Sequence, residues 1–98
     1  MSYIFEIKDF SHRKIHLSRE RWKHINQEHP EVSPYIEEIK ETLRNPDKIK
    51  TYEDDLVVKY YYNYYKGRAS SVRYLLLVVK YLNGDGFVIT AYFVRNIR

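Results

Sequence analysis

Ninety-eight residues, 44% hydrophobic and 31% charged with three Gly and three Pro, describe one folded domain over 1–98, not a disordered, collagen-like or low-complexity chain. There is no cysteine, which excludes a disulfide scaffold, a zinc finger and thiol catalysis. The formal net charge of +4 and eleven tyrosines suit a nucleic-acid partner.

Taken in chain order, Ser2–Lys8 alternates Tyr3, Phe5 and Ile7 with more polar residues and predicts a strand. His12–Leu17 alternates Ile15 and Leu17 with His12, Lys14 and His16 and predicts a short second strand. Ser18 is a good N-cap for a helix over Arg19–His29, with Trp22 and Ile25 inward and Pro30 as its stop. Ser33-Pro34 is a second start signal, and Ile36, Ile39 and Leu43 give the next helix one apolar face. Asn45-Pro46-Asp47 ends it.

From there the period is that of strands. Lys48–Tyr52, Leu56–Lys66, Val72–Leu82 and Phe87–Val94 are separated by Glu53-Asp54-Asp55, by Gly67–Ser71 and by Asn83-Gly84-Asp85-Gly86. Four strands joined this closely predict an antiparallel meander. The expected fold class is α+β, with two helices on one face of a twisted antiparallel sheet of about four meander strands. The longest apolar run, Tyr74–Val79, is too short to span a bilayer, and MSYIFEIKDF has no secretory pattern. A soluble, cytoplasmic protein with no membrane association is expected.

The charge is blocked along the chain. Residues 12–24 carry five Lys/Arg and one Glu, residues 28–55 four Lys/Arg and nine Asp/Glu, and residues 56–84 five Lys/Arg and no acid. If the two basic blocks meet, they form a surface that attracts phosphate.

The segments RERWKHINQEHPEV, NPDKI and LVVKYLNGDGFVITAYFVRNI, in that order, resemble the phage-associated branch of the barnase–EndoU–colicin–RelE nuclease superfamily. Members have a helix with a His-Ile pair and a nearby His-Pro, a second helix, and strands ending in a similar GFVITAY segment. The resemblance covers residues 12–97. It implies a metal-independent, cofactor-free ribonuclease, toxin-like in many members, with RNA as substrate and an antitoxin protein as possible partner.

Metal-free RNA cleavage needs a base for the ribose 2′-OH, an acid for the leaving 5′ oxygen, and cations for the phosphate. His24 falls on the outer side of the first helix beside Arg21 and Lys23, and His29 comes back to the Trp22 side at the helix end. Their spacing of five is not the four that stacks metal ligands on a helix. His12 and His16 are lesser candidates. Lys80 stands in an otherwise apolar strand, where a lysine must reach water or a partner. A three-residue turn at Gly84-Asp85-Gly86, with Gly86 left-handed, sets Lys80 opposite Thr90 and on one face with Tyr92, whereas a two-residue turn slips this register. The expected catalytic set is therefore His24, His29, Lys80, Thr90 and Tyr92, with Arg21, Lys66, Arg68, Arg73 and Arg95 binding the RNA backbone and no metal. The block Tyr60-Tyr61-Tyr62 and Tyr64-Tyr65 offers rings for base stacking, but alternation divides it between two faces, so some rings must be core, and core and cross-strand packing is the favoured role. The competing expectation is a non-catalytic RNA-binding or protein-interaction module of the same fold.

Overall fold

A computed structural model describes residues 3–52, 54–65 and 73–97. The expected loop at Gly67–Ser71, with Lys66 and Arg68, lies outside the described residues. The elements run β1 (Tyr3–Lys8), β2 (Lys14–Ser18), α1 (Arg19–Glu28), a 3-10 segment (Pro30–Tyr35), α2 (Ile36–Arg44), β3 (Lys48–Tyr52), β4 (Asp55–Tyr64), β5 (Tyr74–Leu82) and β6 (Asp85–Val94). Ser18 caps α1, its hydroxyl accepting from the Arg21 N–H at 3.0 Å. Ser33 and Pro34 do not start α2. They lie within the 3-10 segment, Pro30 having set its first turn, and α2 begins after Tyr35 without a side-chain cap.

The sheet corrects the four-strand expectation. It has six strands in the order β1-β2-β6-β5-β4-β3. The last four do pair antiparallel in sequence order. The N-terminal β1–β2 hairpin then joins the same sheet through a short parallel pairing of β2 with β6, Ile15 to Gly86 and His16 to Phe87. Chain order hides that junction because 71 positions separate each pair of partners, and periodicity reports only local structure.

Strand alternation divides the sheet into two faces. Phe5, Ile15, Leu17, Tyr61, Leu75, Leu77, Val79, Val88, Ala91 and Phe93 point to one of them and meet Ile25, Val32, Ile39 and Leu43 in the core. Helix α1 packs beside β2 and β6, and α2 lies over β4 and β5. No helix of the described residues is long and apolar enough to cross a membrane.

The β1–β2 loop closes that core from below with a polar knot. The buried Asp9 carboxylate accepts from the Ser11 hydroxyl at 2.7 Å, the Ser11 and Arg13 N–H groups, and the Tyr61 and Tyr81 hydroxyls at 2.9 and 3.0 Å. The two tyrosine hydroxyls also meet each other, so the three oxygen–oxygen contacts share two protons. Burial raises both phenols, Tyr81 to about 12. This cluster is packed inside the helix-covered half, and its perturbed groups hold the loop to the sheet.

The β5–β6 turn is also corrected. Leu82 pairs with Asp85, so the turn has two residues, Asn83 and Gly84, with φ of 55° and 87°, the geometry of a hairpin turn that twists with its strands. Gly86 does not take a left-handed conformation. Its lack of a side chain serves the β2–β6 contact instead: a Cβ there would collide with the Ile15 side chain and lie 3.0 Å from Tyr81. Lys80 accordingly pairs with Phe87, and Thr90 with Val78. A bulge between Val78 and Val79 adds one residue on β6 and returns Thr90 to the face of Lys80.

Candidate active site on the uncovered face of the sheet

Among the described residues, no helix lies on the second face of the sheet. Along β6 it presents Phe87, Thr90, Tyr92 and Val94, along β5 Leu76, Val78 and Lys80, and along β4 Val58, Tyr60 and Tyr62. Lys48 and Lys50 of β3 pair with Tyr62 and Tyr60 and complete it. Over this face lies a cleft of about 1040 Å³. Its floor is formed by Tyr60, Tyr62, Leu76 and Tyr92. Lys50, Thr51, Tyr52 and Asp54 stand on the β3 side, and Val94, Arg95 and Asn96 on the β6 side. Three strand gaps separate β6 from β3, about 14 Å at the usual spacing.

The expected site residues divide between this cleft and its surroundings. Tyr92 and Arg95 line it. His29 caps the C-terminus of α1, and its imidazole stacks on Tyr92 with ring centroids 4.7 Å apart and planes 18° from parallel. The Nδ1 atom of His29 lies 3.8 Å from the Glu31 carboxylate. Helix α1 reaches this position because β2 leaves the sheet after Ser18, freeing the upper edge of β6 for the helix. Thr90 is two residues down the strand from Tyr92, half-buried on the same face.

The remaining candidates do not meet there. His24 and Arg21 are exposed on α1, while Trp22 and Ile25 hold its core side. Lys80 is on the open face but enters four residues along β5 from Leu76, the cross-strand partner of Tyr92, a backbone separation of about 13 Å. Arg73 immediately precedes β5, where its carbonyl accepts from the Tyr65 N–H at 2.7 Å. His12 lies in the β1–β2 loop with φ 68°.

His16 is a structural residue. Its Nε2 lies 2.9 Å from the Asp85 carboxylate and its Nδ1 2.7 Å from that of Glu6, the latter an ionic contact out of line for a hydrogen bond. The ring is buried and stacks on Phe87 at 4.9 Å, so it ties β1, β2 and the β5–β6 turn together. Among the described residues no group of three or more His, Cys, Asp or Glu is arranged to hold a metal ion.

Sequence reasoning missed Lys50, Tyr52 and Asp54 on the β3 side, and named Tyr60 only as one of the tyrosine block. The available signal was the two-residue alternation of β3 and β4, which sends Lys48, Lys50, Tyr60 and Tyr62 to one face once the two strands are paired.

The cleft thus sets tyrosine rings and two cations, Lys50 and Arg95, around an open space, with the His29 imidazole stacked on one of those rings, Tyr92. An imidazole can accept or donate a proton, the cations can neutralise phosphate, and the rings can stack on bases. Curated proteins and solved structures give no match to this chain. A family model described as phage-Barnase-EndoU-ColicinE5/D-RelE like nuclease 2 matches residues 4–97. With nearly its whole length matched, the chain belongs to that phage-associated nuclease family.

Proposed function

We propose that this protein is a metal-independent RNA endonuclease whose reaction takes place at the His29–Tyr92 end of the open-face cleft. The observation that carries this reading is the stacking of His29 on Tyr92, a ring that lines a cleft together with Arg95 and Lys50. His29 takes the proton from a ribose 2′-OH as that oxygen attacks the adjacent phosphorus. Arg95 and Lys50 neutralise charge building on the phosphate. The Tyr92 hydroxyl and Thr90 orient the phosphate, and Tyr92 donates toward the leaving 5′ oxygen. The product is a 2′,3′-cyclic phosphate and a free 5′-OH end. His24, Arg21, Lys80 and the basic residues Lys66, Arg68 and Arg73 engage the RNA backbone beyond the scissile position. A toxin-like role in the cytoplasm follows, with an acidic antitoxin covering the cationic cleft.

The test is incubation of purified protein with RNA in EDTA, beside His29→Ala, His24→Ala and Lys80→Ala. The expected result is RNA cut to cyclic-phosphate ends by the parent protein, with His29→Ala lowered at least a hundredfold and the other two far less. Equal cleavage by all four proteins overturns the assignment. Salt-sensitive binding that leaves the RNA intact supports the non-catalytic module in its place.

A further inference from the structure

The cleft has two chemically different ends. Near β6 the described lining offers Arg95. Near β3 it offers Lys50, Tyr52 and Tyr60, the two rings stacked at 5.8 Å with planes 24° apart, and beside them Asp54, the single acidic side chain of the lining among the described residues. Tyr52 is 46% exposed, so the ring face turned away from Tyr60 is open. The turn that carries Asp54 follows directly on Tyr52, and the β3–β4 pairing shifts register there, Tyr52 meeting Asp55. That irregularity brings Asp54 to the rim of the cleft rather than along the strand.

A carboxylate repels phosphate, so the point beside Asp54 does not take the charged part of a nucleotide, which is left to Lys50 on the same wall and Arg95 on the other. That point can take a base. We propose that this end is a nucleobase subsite selective for guanine, with Tyr52 and Tyr60 as the stacking platform and Asp54 as the residue that reads the base edge. A carboxylate presents two acceptor oxygens and no donor. Guanine alone sets two adjacent donors on its edge, the ring N1–H and the exocyclic amine, and so meets both oxygens. Adenine and cytosine place a ring acceptor next to their amine, and uracil flanks its one N–H with carbonyls, so each sets a lone pair against the carboxylate. The subsite thus sets the base at Asp54 and the phosphate toward the cations of the cleft.

This inference rests on the ribonuclease reading for its biological substrate, but its test is binding. Calorimetric titration of the full chain with 3′-GMP, 3′-AMP, 3′-CMP and 3′-UMP should show guanosine monophosphate tightest by tenfold or more. Asp54→Asn, a change at an exposed turn residue, should erase that preference. Tyr52→Ala should weaken all four by similar factors. Equal affinities, no binding, or an unchanged ranking in Asp54→Asn overturns the subsite. Cleavage of oligonucleotides differing at one base separates the two claims. Cutting without base preference leaves the nuclease reading standing and the subsite refuted. Guanine-selective binding without any cutting leaves the reverse.

Discussion

The His29 ring lies nearly parallel to that of Tyr92, 4.7 Å between centroids, although one residue ends a helix and the other stands mid-strand 63 positions later. The contact immobilises an imidazole at the edge of the open sheet face, with part of the ring still exposed. A proton-transfer group held this way loses little orientational freedom on reaction. His29→Ala should therefore reduce RNA cleavage by a factor of about 10²–10⁴. Tyr92→Leu, which keeps the floor apolar but removes the stacking ring and the hydroxyl, should also be impaired. His24→Ala should stay within about threefold of the parent. Single-turnover cleavage rates check all three, and a His24→Ala defect matching that of His29→Ala would contradict the assigned geometry.

Much of this arrangement was legible before any coordinates. Helix α1 was readable from Ser18 and Pro30, and β3 from its flanking signals, because caps and turn residues act within a few positions. Tyr92 and Arg95 were each named from the sequence on separate grounds, and both line the cleft. The turn at Asn83-Gly84 was misread, since Asn-Gly-Asp-Gly supports either a two- or a three-residue connection, and the choice depends on Ile15 packing against Gly86 from across the sheet. The compensating bulge in β6 is likewise a product of cross-strand fit. His16 illustrates the same limit. On the sequence it is a polar residue of a short strand, but parallel pairing to β6 buries it between Glu6 and Asp85. Nothing local announces partners that arrive from 69 residues away.

Arg95 and Lys50 face the cleft from opposite walls, so both should contribute ionic contacts to a bound strand. For single-stranded RNA, each phosphate contact removed should reduce the slope of log affinity against log salt by about 0.7. Arg95→Ala and Lys50→Ala should each show that change in fluorescence-anisotropy titrations across several salt concentrations. Lys40, on α2 and 3.2 Å from the Glu37 carboxylate, is the control, and Lys40→Ala should leave the slope as it was. A slope that responds to Lys40→Ala and ignores Arg95→Ala would move the RNA to the helix-covered side.

Gly86 sits where β2 and β6 meet, against Ile15, Tyr81 and Val79. Adding one methyl group forces these side chains apart in a packed core, a cost of about 1–3 kcal/mol. Gly86→Ala should lower the urea midpoint accordingly. Gly84→Ala has open space around its Cβ, but its φ of 87° strains any residue with a side chain. Its smaller loss, about 1 kcal/mol, arises from backbone conformation alone. Pairing each with Ile15→Val distinguishes the causes, because only the Gly86→Ala loss should be partly relieved by trimming Ile15.

The Asp9 knot makes stability depend on pH at both extremes. Burial pushes the Asp9 carboxyl up, but hydrogen bonds from the Ser11 and Tyr61 hydroxyls and from the Ser11 and Arg13 backbone outweigh it and leave the group below its ordinary 3.8. The ionised form is thus favoured by folding. Its contribution is complete above about pH 4 and is lost as pH falls through the depressed folded value. Tyr81 and Tyr61 act in the opposite sense. Burial and the neighbouring carboxylate raise both, Tyr81 from 10.0 to about 12, so their contribution is present below pH 10 and disappears as pH rises through the folded values. Urea unfolding across the pH range should show both flanks in the parent protein. Asp9→Asn should cost about 1–3 kcal/mol at neutral pH and flatten the acid flank, and Tyr81→Phe should shallow the alkaline one. An acid flank equally steep in Asp9→Asn would assign it to other carboxylates and reduce the knot to packing.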